Sequence, residues 1–204
     1  MISLQYLIII LMLIFIIIAI LILHKISIFK NINSSPDKAK LNEAKHRKEI
    51  YQQLEKGIRD ELAKEKNEVT AIFLSYQEEL RLQFFTQYFF NENEAYVTWQ
   101  GRILINRIIE ASRQLMNNQL NVDIECHTNS NPAFSSIYPG NWELSASRAS
   151  NILCYFTERG YDPLKMKASG YADLHPLAPE YDEQDNPLPE NMKKNSRVVI
   201  RFYL

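Results

Sequence analysis

Tyr138-Pro139-Gly140-Asn141-Trp142-Glu143-Leu144-Ser145-Ala146-Ser147-Arg148-Ala149 carries the chain out of a loop and into a helix. Pro139 and Gly140, with Asn131 and Pro132 before them, are loop residues. Trp142 to about Arg159 reads as helical, and Gly160 stands where a left-handed C-terminal cap is wanted. Upstream, Val122, Ile124 and Cys126 alternate with Asp123, Glu125 and His127, the period of a half-buried strand. Trp99 to Leu120 reads as an earlier helix, with Leu104, Ile105, Ile108, Ile109, Leu115 and Met116 on its apolar side. Before it, Leu80-Arg81-Leu82-Gln83-Phe84 alternates as a strand and Tyr88-Phe89-Phe90 adds a second apolar run. Downstream, Leu164 to Ala168 reads as a short strand and Arg197 to Tyr203 as a strongly β-forming finish. The order strand–helix–strand–helix–strand–strand predicts an α/β (α+β) sandwich with a mixed sheet and its helices on one side.

The first part of the chain reads differently. Leu7 to Leu23 is an unbroken run of Leu, Ile, Met, Phe and Ala, long enough for a membrane-spanning helix and without an internal charge. Bulky and basic residues (His24, Lys25, Ile26) follow it where a signal peptidase would need small ones, so an uncleaved anchor is expected. Lys25, Lys30, Lys38, Lys40 and Lys45 all follow the span, which by the positive-inside rule favours a cytoplasmic C-terminal part. Lys38 to about Asn67 is rich in helix formers, and Leu41, Ala44, Tyr51, Leu54, Ile58 and Leu62 form a stripe on it. Packing against the following domain and a parallel dimeric coiled coil both fit that stripe. The expected organisation is an anchor over 1–30, a polar break and helical linker over 31–78, and a folded domain over 79–204.

Charge is balanced, 23 basic against 24 acidic residues, which gives no field for nucleic acid. Cys126 and Cys154 form no CxxC pair, and the strand alternation turns Cys126 inward, away from Cys154, so no disulfide is expected. Asp173, His175, Asp182, Glu183 and Asp185 lack compact ligand spacing and read as a solvated acidic loop, so neither metal nor cofactor is expected. No Ser-His-Asp, Cys-His or paired-carboxylate arrangement emerges, and His127 reads as a packed strand-end residue; an enzyme is not expected.

The quoted stretch closely resembles the Asn-Trp-Glu-Leu-Ser-x-x-Arg-Ala signature of MotB-like proteins of the OmpA family. Tyr88 to Gly101 (YFFNENEAYVTWQG) is similar to the family's first strand, loop and helix start. Glu125-Cys126-His127-Thr128-Asn129 stands where the family has Gly-His-Thr-Asp, and Gly170-Tyr171-Ala172-Asp173 matches the segment after its third strand. Asn195-Ser196-Arg197-Val198-Val199-Ile200 resembles its closing Asn-Arg-Arg-Val/Ile run. The resemblance covers about residues 80–204 and implies a βαβαββ domain that binds the diaminopimelate of peptidoglycan stem peptides.

A zwitterionic diaminopimelate end calls for a guanidinium and an ammonium acceptor. Arg148 matches the family arginine, whose planar fork suits a carboxylate. Asn129 replaces the family aspartate, with an expected loss on the order of 1–2 kcal/mol, or about tenfold or more in affinity. The resemblance makes Asn141 a support of the ligand loop, Thr128 and Ser130 further contacts, and Arg197 a ligand or structural residue, with Ser196 in its neighbour's place. It implies a periplasm-facing, inner-membrane, non-catalytic wall anchor of a Gram-negative cell, and the coiled-coil reading of the spacer makes that anchor a homodimer. A B-type subunit of a MotAB-like stator or Zorya-type antiphage complex, with a multi-span MotA-like partner, is the alternative, although the stators' aspartate at the start of the span is missing. A third reading is an OmpA-like dimerisation module that has lost wall binding.

Overall fold

The computed structural model describes residues 4–33, 36–64, 71–76, 79–113, 115, 120–133 and 137–204. The chain divides into two compact units, Met1–His46 and Arg47–Leu204. The first holds helix α1 (Leu4–Asn33) and the start of α2 (Pro36–Leu62). The large apolar side chains from Met12 to Ile26 are exposed, Phe15 at 74 %. Among the described residues no helix is long and apolar enough to cross a membrane. The side chains of Leu7 to Leu11, part of the expected span, lie outside the described residues.

The second unit begins at Arg47 rather than Glu79, because the rest of α2 and a further strand belong to it. Ile50, Tyr51, Leu54 and Ile58 recur on one face of α2 and are all buried; Tyr51, Leu54 and Ile58 join the main core. Of the two readings of the stripe, packing against the domain therefore holds for residues 50–58, while Leu41 is exposed. The strand not anticipated is β1 (Ala71–Tyr76), whose Phe73 packs on the core while Ile72 and Leu74 stay exposed.

The remaining order is β2 (Glu79–Phe85), α3 (Trp99–Arg113), β3 (Asn121–His127), α4 (Asn141–Glu158), β4 (Met166–Gly170), α5 (Pro189–Asn195) and β5 (Arg197–Tyr203). The five strands form one sheet in the order β1-β2-β5-β3-β4. β3 and β4 run parallel and the other neighbours antiparallel, so the sheet is mixed as expected. Strand alternation gives the sheet two faces. Leu80, Leu82, Phe84, Val122, Ile124, Cys126, Val198, Ile200 and Phe202 build the core with the inner sides of α3 and α4. The opposite face carries charge: Arg201 reaches Glu79 (2.6 Å), Glu125 (2.9 Å) and Asp123 (3.7 Å) across three neighbouring strands. Cys126 is buried, Cys154 is exposed and both are free.

Other differences are local. Helix α3 ends at Arg113, not Leu120: the Ser112 hydroxyl bonds back to the Ile108 and Ile109 carbonyls, and the Leu115 N–H closes a tighter turn on Ser112 O. Tyr88-Phe89-Phe90 is no strand; a 3₁₀ turn over Thr86–Tyr88 delivers Phe89 and Phe90 into the interior. Leu164 is 94 % exposed in a second 3₁₀ turn, capped by Asp162, and β4 starts two residues later. At Gly170 a Cβ would fall 2.3 Å from Ala146 N, so this glycine lets β4 lie directly against the first turns of α4.

Leu54→Ala tests whether α2 is spacer or core. Deletion of a fully buried leucine is expected to lower the unfolding free energy of the chain by about 2–5 kcal/mol, measured by urea denaturation followed through near-UV circular dichroism; an unchanged midpoint would make this stretch a mere spacer.

Candidate functional site

Around the first turns of α4 the chain leaves an open cavity of about 440 Å³. Its wall combines the loop after β3 (Thr128, Asn129, Asn131), α4 (Asn141, Leu144, Arg148), the 85–93 segment and the end of α5. The two ends of α4's first turns are fixed independently. Asn141 donates through Nδ2 to Asn129 O (3.2 Å) and Asn131 O (3.1 Å), and its Oδ1 accepts the Ala133 N–H (3.0 Å). Ser145 accepts the Ala172 N–H (3.1 Å), and Ala172 O accepts the Thr128 N–H (2.8 Å). Helix α4 and the loop after β3 are thus tied into one frame.

Arg148 is the centre of that frame. It is 5 % exposed, donates from Nε to Glu94 O (2.8 Å) and from Nη2 to Asn91 O (3.2 Å), and lies 5.2 Å from the centre of the Phe90 ring. Burial lowers its pKa from the ordinary guanidinium value, yet an arginine stays charged near neutrality. Among the described residues no carboxylate stands within ion-pair distance of it. A buried cation facing a cavity without a counter-ion is a place where an anionic group is stabilised on entry. Thr86 and Thr128 also line the cavity, and among the described residues their buried hydroxyls have no hydrogen-bond partner.

Of the six residues singled out in the sequence, Arg148, Asn129, Thr128 and Asn141 meet in this cavity. Ser130 does not line it: its N–H (2.8 Å) and hydroxyl (2.5 Å) both bond to Glu180. Arg197 does not line it either. It is buried in a second cavity on the charged face of the sheet, donating to Asn195 O (3.1 Å) and His175 O (2.9 Å). Thr128 and His127, and Ser196 and Arg197, are sequence neighbours divided between the two cavities, as side chains of extended backbone alternate.

Asn129 departs from expectation in detail. Its Oδ1 already accepts the Asn131 N–H (3.0 Å), and its own N–H goes to Ser196 Oγ (3.0 Å). Ser196, read in the sequence only as a replaced arginine, therefore holds the loop after β3. Glu92 and Lys193 also line the cavity, and neither was anticipated. Asn93, beside Glu92, has φ 55°, and a non-glycine residue held in the left-handed region fixes this loop's course. The only signal in the sequence was the polar run Asn91-Glu92-Asn93-Glu94.

Residues 89–188 match the OmpA family. Over those residues the chain is similar to OmpA-family domains, and it resembles the MotB-like proteins among them. Protein YtxE of Bacillus subtilis, of uncharacterised role, is 38 % identical over 112 residues, 54 % of this chain and 43 % of that protein. Motility protein B of Helicobacter pylori is 28 % identical over 100 residues, 49 % of this chain and 36 % of that protein. The match thus spans less than half the length of either relative. Among solved structures, a MotB-like protein from Desulfovibrio vulgaris superposes with a TM-score of 0.65 at 21 % identity, over 78 % of this chain and 98 % of that one. The cell wall anchor of the T6SS from Pseudomonas aeruginosa gives 0.59 at 21 % identity, over 76 % and 96 %. These two likenesses establish the shared fold.

Two outcomes follow from the geometry. Asn141→Ala leaves the Ala133 N–H without its acceptor and is expected to speed its amide hydrogen exchange, with a loss of about 1–3 kcal/mol in stability; unchanged protection would show that the loop is held by other bonds. His127, in the second cavity, is held neutral by burial and by the nearby Arg197 and His175, its pKa pushed down to about 3. An unfolded histidine takes up a proton below about pH 6.5 while the folded one does not. Stability is therefore expected to be full above that pH and to drain away towards pH 3, with His127→Asn flattening the profile in pH-dependent urea denaturation.

Proposed function

We propose that this protein is a non-catalytic peptidoglycan-binding anchor whose cavity around Arg148 takes the diaminopimelate end of an uncrosslinked stem peptide. The observation that carries the reading is the buried Arg148 guanidinium, without a carboxylate partner, open to a cavity of the right lining. The ligand's carboxylate meets Arg148 as a charge-assisted, planar contact. The unpartnered hydroxyls of Thr86 and Thr128 supply further bonds. With Asn129 neutral and its oxygen already engaged, the ammonium turns to the Glu92 carboxylate on the cavity wall. Asn129, Asn141 and Ser130 act through the loop they hold.

The exposed apolar stretch of α1 fits an inner-membrane anchor with the domain in the periplasm, an arrangement in which homodimers and a multi-span MotA-like partner have a place. The likeness to motility protein B of Helicobacter pylori favours a stator-derived subunit as the second reading, with a structural role because the apolar run carries no charge to relay protons.

Co-sedimentation of residues 35–204 with purified diaminopimelate-type sacculi tests the proposal. The natural sequence is expected in the pellet, Arg148→Ala in the supernatant, Glu92→Gln weakened by about tenfold, the scale of one charge-assisted bond, and Asn129→Asp strengthened. Failure of the natural sequence and of Asn129→Asp to sediment would sink wall binding and leave a protein–protein scaffold.

A further inference from the structure

The second cavity has an inventory of its own. It measures about 400 Å³, shares no lining residue with the first, and sits at the end of β3 and the start of β5, beside the loop carrying Tyr171, His175 and Leu177. Two charged or polar side chains at its wall are almost wholly inaccessible: His127 at 5 % and Arg197 at 6 % exposure. The His127 ring stacks on Tyr171 (centroids 5.1 Å apart, planes 13° apart), and its Nδ1 is buried with no hydrogen-bond partner among the described residues. Burying a polar nitrogen unpaired costs about 1–3 kcal/mol unless something enters to bond it.

The charges on this face leave one positive unit over. Arg81 and Arg197 line the cavity together with a single acid, Glu125. Glu125 is held by Arg201 at 2.9 Å, and Arg81 is ion-paired with Glu79. Arg197 has two backbone carbonyls and, among the described residues, no carboxylate within ion-pair distance. The rest of the wall is Gln83, the rings of Tyr171 and His175, and an apolar side formed by Leu74, Leu177 and Val199. Leu74 and Leu177 are 38 % and 53 % exposed, so the apolar side is open to an incoming group.

We propose that this cavity is a second binding site, specific for a monoanionic carboxylate on a short aliphatic body. Arg197 takes the carboxylate, His127 Nδ1 makes one further hydrogen bond, and the Leu74–Leu177–Val199 side receives the hydrocarbon. One unpaired guanidinium matches one negative charge, which excludes a dianionic phosphate as the preferred ligand. A free short-chain acid and the C-terminal residue of a peptide share this chemistry. The site is independent of the wall-binding reading, since it uses none of the residues around Arg148.

The test titrates the full chain in detergent micelles with butyrate, N-acetylleucine and inorganic phosphate, reading the imidazole nitrogen shifts of His127 by NMR. Saturable movement of the His127 signals with one or both carboxylates, and not with phosphate, is expected. A stronger response to butyrate identifies a free acid, and a stronger one to N-acetylleucine a peptide terminus. Leu177→Glu, on the exposed loop, is expected to weaken binding by about tenfold through like-charge repulsion; Arg197→Gln is expected to abolish it. Should Arg197→Gln fail to fold, Leu177→Glu decides alone. No shift with any anion, an equal response to phosphate, or binding indifferent to Leu177→Glu would overturn the proposal.

Discussion

A guanidinium held inside a protein by backbone carbonyls alone is the constraint around which this domain is arranged. Arg148 needs the carbonyls of Asn91 and Glu94 to come to it, so the 89–98 loop must be folded back over α4. Asn151 extends the same clasp by donating to Ala95 O at 2.7 Å. Neutral carbonyls orient the side chain but leave its charge uncompensated. That combination of fixed geometry and unfilled charge is what preorganisation for an anionic ligand requires.

The frame that achieves this is spread over elements far apart in sequence. The α4 turns press on β4 at Gly170, Asn141 braces the loop after β3, and Glu180 reaches from the long 171–188 segment to Ser130 and Asn195. The acidic character of that segment, which looks solvated in sequence, thus includes one carboxylate used as a structural strut. Asp182 performs a similar local service, bonding the Gln184 and Asn186 N–H groups.

Much of this was legible in the sequence where side chains obey a period. β3 and β5 declare themselves by alternation, α4 by its Asn-Trp-Glu-Leu-Ser start and Gly160 finish, and Arg148, Asn129, Thr128 and Asn141 by a motif. What was not legible depends on contacts without a local period. β1 follows a charged helix and gains its place by pairing with β2 and by the packing of Phe73; Arg197 changed cavity because a single-residue step along a strand reverses its face. Glu92 carries no signal beyond being polar in a loop, and the engagement of Asn129 Oδ1 by Asn131 is a matter of turn geometry that no residue type announces.

The seating of α2 has a mechanical meaning. Tyr51, Leu54 and Ile58 lie successively along one helix face within the core, and the Leu204 N–H at the other end of the chain donates to the Tyr51 hydroxyl at 3.2 Å. Tension applied along this helix would load those side chains together, in shear, and would pass at once to β5, the middle strand of the sheet. A load carried by α2 would therefore be met by the core and the central strand together, before any edge strand.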